Sequence, residues 1–177
     1  DGGDSNAIIS QDGGTETAYF GSKSLSPLPL TIASAKMSST ISSCASGVCD
    51  ASNCIDGDKT NLCHSNDENE AWLRLDLGQQ QSIASVKIWN RQDCCKERFG
   101  AHVVETSNDG TSFTTCGAYT LPNGPGPYTE PCIATARYVR LRMTKRSACS
   151  NDVCALNLAE VQVLAGAGTC THTTCSC

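Results

Sequence analysis

The residue types best able to do chemistry lie between His64 and Arg98. Twenty-six residues separate His64 from Arg91, one separates Arg91 from Asp93, and four separate Asp93 from Arg98. Cys94 and Cys95 sit side by side inside that last interval. An arginine presents a rigid fork of N–H donors and keeps its charge at any accessible pH. An imidazole can donate or accept. Together, His64, Arg91 and Arg98 could grip vicinal hydroxyls and a ring oxygen of a sugar in one geometry. Asp93 is expected to orient an arginine rather than to touch ligand, because carboxylates pair well with guanidiniums. The two cysteines raise a separate question. Neighbouring Cα atoms lie about 3.8 Å apart, whereas an ordinary disulfide spans roughly 4.4–6.8 Å. A bond between neighbours is therefore strained, and strain that persists tends to sit at functional sites. Beside two arginines we expect that vicinal bond, which would form a flat, apolar, polarisable plate. The alternative is that each cysteine pairs elsewhere.

Other reactive-looking residues have plainer readings. His102 stands alone in an alternating strand and is expected to be structural. Cys44, Cys49, Cys54 and Cys63 are close enough for a zinc site, yet closely spaced cysteines in a cysteine-rich chain more often form disulfides. His172 between the tail cysteines is read as part of a disulfide knot or a junction. We find no nucleophile elbow, no paired histidines of the H-E-x-x-H kind and no carboxylate pair to span a glycosidic bond. The chain is expected not to be an enzyme.

The His-x26-Arg-x-Asp-x4-Arg pattern with its cysteine pair resembles the sugar-binding signature of the F-type lectins, the fucolectins. Leu30 to Ser39 is similar to the opening strand and loop of F-type lectin and discoidin-like domains, and the resemblance runs from about residue 28 to 165. It implies a β jelly roll in which His64, Arg91 and Arg98 bond L-fucose and Cys94-Cys95 packs against the sugar ring. It also implies calcium. Asn53-Cys54-Ile55-Asp56-Gly57-Asp58 resembles the family's calcium loop, and Glu160 matches a glutamate near its last strand. Asp56 and Glu160 would then give side-chain oxygens, and Asn53 and Asp58 carbonyls. The reading without metal is an Asp-Gly turn. Glu160 in any case needs a partner, as a charge in an apolar strand. Two departures stand out. Only five residues lie between Asp58 and His64, fewer than in the family, whose further ligands come from that stretch. Ala159 stands where relatives often carry a cysteine, so Cys63 needs another partner, Cys49 or Cys54. Cys116 and Cys132 match a family disulfide.

The elements that must position these groups read as strands. Leu73, Leu75 and Leu77 alternate with Arg74 and Asp76; Val86 and Ile88 alternate with Lys87 and Trp89. Val139, Leu141 and Met143 alternate with Arg140, Arg142 and Thr144, whose basic face is read as solvated. Ala159, Val161 and Val163 alternate with Glu160 and Gln162. Asn108-Asp109-Gly110 marks a hairpin turn, and Leu121 to Pro127 an irregular loop. No segment has helical periodicity, so many short period-two strands predict an all-β sandwich or barrel.

Length and composition set the bounds. The 177 residues suffice for one domain. The net charge of −5 argues against nucleic acid as a main partner, because phosphate binding wants a basic face. No apolar run approaches the roughly 20 residues that span a bilayer. No leader segment is visible, so the chain reads as mature or as a fragment. Thirteen cysteines indicate an oxidising compartment, hence a secreted or cell-surface protein, and their odd number leaves one without a partner in its own chain. Residues 1–27 are polar with Ile8-Ile9 and Tyr19-Phe20 as apolar exceptions; residues 166–177 form a cysteine-rich tail. Both ends could join chains, which makes a filament, coat or matrix subunit the rival to a lectin.

Overall fold

The computed structural model describes residues 27–42, 44, 47–144 and 154–166. The expectations about residues 1–26, the tail and His172 therefore lie outside the described residues.

Among the described residues, seven antiparallel strands make one curled sheet, with a single short 3-10 turn at Ala51–Cys54. In chain order they are β1 (Ser34–Met37), β2 (Cys63–His64), β3 (Trp72–Asn90), β4 (Ala101–Ser107), β5 (Thr114–Thr120), β6 (Tyr128–Met143) and β7 (Asn157–Ala165). Their order is β2-β7-β3-β6-β4-β5, with β1 beside β3. This is the all-β jelly roll expected from the alternation and from the family resemblance. Among the described residues no helix is long and apolar enough to cross a membrane.

The length of β3 explains how one sheet encloses a core. Its first half, Leu73 to Asp76, pairs with β1; its second half, Ile83 to Asn90, pairs with β7. Between them the register against β6 shifts, from Asp76 to Gln81. Gly78 takes φ +77 there, a left-handed value open to glycine without a Cβ clash, so the strand can bend and change neighbours. The predicted apolar sets face inward. Leu73, Leu75, Val86, Ile88, Val139, Leu141, Val161 and Val163 are all fully buried. Removing such side chains from water is worth about 1.5–3 kcal/mol each.

One expected surface is different. The face carrying Arg140 and Arg142 is paired rather than freely solvated. Arg140 Nε donates to Glu105 Oε2 at 2.7 Å, and Arg142 Nη2 donates to Glu105 Oε1 at 2.9 Å. Arg142 Nη1 also reaches Glu70 at 2.7 Å. Glu105 is 4 % exposed, and both guanidiniums hold its carboxyl below the usual carboxylate range against the opposing effect of burial. His102 is buried and structural in its bonding: Nδ1 donates to the Gly100 carbonyl at 2.9 Å, and Nε2 meets Glu130 at 2.9 Å.

Disulfides join Cys44 to Cys49, Cys54 to Cys63 and Cys116 to Cys132. Cys63 thus takes Cys54, one of its two expected partners. The pairing of Cys44, Cys49, Cys54 and Cys63 leaves no thiolate for zinc. Cys154 is disulfide-bonded as well.

Candidate functional site

β2 is only two residues long, and its context fixes His64. Cys63 pairs with Leu158 and His64 with Asn157 of β7. The His64 amide donates to the Cys49 carbonyl at 3.1 Å, and the His64 carbonyl accepts from Ile41 at 3.0 Å. The Cys54–Cys63 disulfide ties the residue before it to the 3-10 turn. His64 is 5 % exposed, with Nδ1 at 2.6 Å from the Ser65 carbonyl. A carbonyl only accepts, so Nδ1 carries the hydrogen and Nε2 is left as an acceptor. Burial lowers the His64 pKa, the Ser65 carbonyl opposes that, and the charges of Arg91 and Arg98 lower it further. The ring is therefore neutral at neutral pH, and both arginines act on it.

Arg91, Asp93 and Arg98 lie in the loop between β3 and β4. Asp93 does what its type suggested: Arg91 Nε donates to Oδ1 at 2.6 Å and Nη2 to Oδ2 at 2.9 Å. This two-point bond is the first cause of a carboxyl held far below its ordinary range. It leaves Nη1 of Arg91 and one Nη2 hydrogen to address a ligand.

Two asparagines that the sequence reading passed over hold this loop. Asn90, fully buried at the end of β3, donates from Nδ2 to the Lys96 carbonyl at 2.8 Å and accepts the Arg91 amide on Oδ1 at 2.8 Å. Asn157, fully buried at the start of β7, donates from Nδ2 to the Cys95 carbonyl at 3.0 Å. Phe99, fully buried, stacks 4.4 Å from the His102 ring and anchors the loop's exit. Cys95 itself adopts φ +56, a strained value for a residue with a Cβ. Cys94 and Cys95 stand as thiols with Sγ atoms 2.6 Å apart, longer than the roughly 2.05 Å of a disulfide.

His64, Arg91, Asp93 and Arg98 line one cleft of about 460 Å³, together with Ile41, Cys44, Gln92 and the segment from Lys59 to Leu62. Neither Cys94 nor Cys95 is among its lining residues. The 59–62 wall was not anticipated; it has no periodicity and no recognisable motif.

The second set of expected residues meets beside this wall. Gly57, at φ +83, turns the chain so that its amide donates to Glu160 Oε2 at 3.1 Å. Glu160 is 3 % exposed. Burial, opposed by the Gly57 amide and reinforced by the charge of Asp56, pushes its carboxyl up to about 7. Asp56 accepts the Asp58 amide on Oδ1 at 2.8 Å and Asn61 Nδ2 on Oδ2 at 2.7 Å. The structure thus brings Asp56 and Glu160 to one loop. Asn53 braces that loop, donating from Nδ2 to the Val48 and Leu62 carbonyls at 2.7 and 3.2 Å. The Asp58 carboxylate bonds Thr60 through Oδ1. Lys59 Nζ lies 3.4 Å from the Gly57 carbonyl and 4.8 Å from the Trp89 ring centre. Among the described residues no three His, Cys, Asp or Glu side chains group as metal ligands. A metal here would draw on amide and carbonyl oxygens, which suits calcium and not a transition metal.

Comparison with known proteins adds an independent line. The model of the NedA-like, galactose-binding domain family matches residues 53–141, half of the chain. The chain is 32 % identical over 120 residues to the pentraxin fusion protein of Xenopus laevis, covering 65 % of this chain but only 27 % of that protein. It is 31 % identical over 128 residues to fucolectin-3 of Anguilla japonica, covering 66 % of this chain and 67 % of that one. Among solved structures, the lectin domain of lectinolysin complexed with Lewis b antigen superposes with TM-score 0.62 at 26 % identity, over 76 % of this chain and 93 % of that one.

Proposed function

The chain belongs to the F-type lectin family within the NedA-like, galactose-binding domains, and we propose that it is an extracellular, non-enzymatic lectin for L-fucose and fucosylated glycans. One observation carries the reading: a neutral His64, Arg91 and Arg98 line a single cleft. His64 Nε2 would accept a sugar hydroxyl while the guanidinium of Arg91, held by Asp93, and that of Arg98 donate to neighbouring oxygens. The binding of Lewis b antigen by the lectinolysin domain is in keeping with this choice of sugar. Cys94 and Cys95 stand as thiols 2.6 Å apart, so the vicinal plate requires their oxidation to a disulfide in an oxidising compartment, which mass spectrometry of the unreduced protein tests as a further loss of two hydrogens. Calorimetry and a glycan array test the main reading. Binding of L-fucose in the micromolar to millimolar range is expected; a preference for galactose, or no sugar binding, overturns it.

The residues of the second site fit calcium. Glu160 is a desolvated carboxyl whose pKa is raised further by Asp56, and a divalent ion would neutralise both. Asp56 and Glu160 would hold it through side-chain oxygens, and Asn53 and Asp58 through carbonyls. Bound calcium would supply charge neutralisation and bracing of the loop that carries the 59–62 wall. A rise in melting temperature with calcium, reversed by chelator, is the expected result.

A further inference from the structure

Five residues connect Asp58 to His64, and the family resemblance implies a longer connection there that gives further calcium ligands, so this chain would have to replace them. Asn61 lies inside the short connection. Its Nδ2 donates to Asp56 Oδ2 at 2.7 Å, which fixes the amide against one carboxylate of the second site. Its Oδ1 is buried and has no hydrogen-bond partner. A buried amide oxygen without a partner forfeits about 1–3 kcal/mol, and such atoms need an explanation. It is closed to bulk solvent. The sugar cleft is not the answer either: although Asn61 contributes to the cleft wall, this oxygen is closed to solvent. Calcium binds oxygens at about 2.3–2.6 Å, closer than a hydrogen-bonded water oxygen. Side-chain amide oxygens are ordinary calcium ligands.

We propose that Asn61 Oδ1 is a calcium ligand, compensating for the ligands lost with the shortened loop while Nδ2 keeps the Asp56 carboxylate oriented. The assignment rests on the calcium reading of Asp56 and Glu160. It makes Asn61 a joint between two sites, since the same residue lines the sugar cleft.

The test uses the full chain, stripped with chelator and titrated with calcium by calorimetry. Terbium luminescence is a second readout, because Trp89 pairs with Glu160 in the sheet and can sensitise the ion. Asn61→Ala should weaken calcium binding at least tenfold with an unchanged circular dichroism spectrum. Asn61→Asp, which keeps the shape and gives an anionic oxygen, should bind calcium as tightly as the native protein or more tightly. If Asn61→Ala binds calcium like the native chain, or if Asn61→Asp binds no better than Asn61→Ala, the assignment to Asn61 is overturned and the calcium reading survives. If the native chain binds neither ion, both fall together.

Discussion

His64 is the group in the cleft whose charge can change near neutrality, and its surroundings decide the direction. Its pKa is depressed below 6.5, chiefly by burial. The unfolded chain therefore takes up a proton at higher pH than the folded one. Its stabilising contribution is full above about pH 6.5 and is lost as pH falls below it. Protonation also places a third positive charge among Arg91 and Arg98 and removes the Nε2 acceptor. We expect fucose affinity, measured by calorimetry, to fall between pH 7.5 and 5, and His64→Gln to flatten that profile at a low plateau. A native profile that is level across this range would show that His64 accepts no bond from the sugar. The arginines give a second prediction. Arg91→Ala and Arg98→Ala should each weaken binding by about 1.5–3 kcal/mol, the worth of a charged hydrogen bond, or roughly tenfold to more than a hundredfold. Arg91→Lys should not rescue binding, because an ammonium cannot hold Asp93 at two points and still present a fixed donor.

The loop between β3 and β4 aims those arginines, and neighbouring strands hold it through two main-chain carbonyls. Asn157→Ala removes the donor to the Cys95 carbonyl and should cost about 1–3 kcal/mol of stability together with a loss of fucose affinity. Val161→Ala, in the core of the same strand, should lower stability while leaving affinity unchanged. If both variants lose affinity alike, the asparagine has no positioning role. This element also marks where the sequence stopped being legible. Strands with one apolar face, such as Leu73-Leu75-Leu77, announce themselves by alternation, and the His64–Arg91–Arg98 spacing carried the outline of the cleft. Asn157 could not be found that way. It is polar within an apolar run, and its partner lies 62 positions earlier in the chain. Glu105 is similar: its pairing with Arg140 and Arg142 depends on the register of β4 against β6, which no local pattern contains. The Lys59–Leu62 wall is loop, where side-chain direction follows from tertiary contacts alone.

At the scale of the molecule, the strand order sets apart what stabilises from what binds. β2, with His64, is at one end of the order and β5 is at the other. Cys116 lies in β5 and bonds to Cys132 in β6, across a separation of 16 residues. Cys54 bonds to Cys63, across 9 residues, immediately before His64. In the chain-entropy account, loops of these lengths stabilise by about 3 and about 2.5 kcal/mol, so stability alone barely distinguishes them. Function should. Removing Cys116 and Cys132 together, as the Ala pair, should lower the midpoint of urea unfolding and leave fucose affinity within about twofold, because no lining residue of the cleft moves with β5. Removing Cys54 and Cys63 together should lower the midpoint by a similar amount and also weaken fucose binding. It frees the 3-10 turn from β2, and with it the backbone that seats the imbedded imidazole and the loop bearing Asp56. Calcium binding should decline in the second variant and not in the first. Equal losses of affinity in both variants would mean that the jelly roll transmits strain across its whole width, and that the cleft is not a local property of its β2 end.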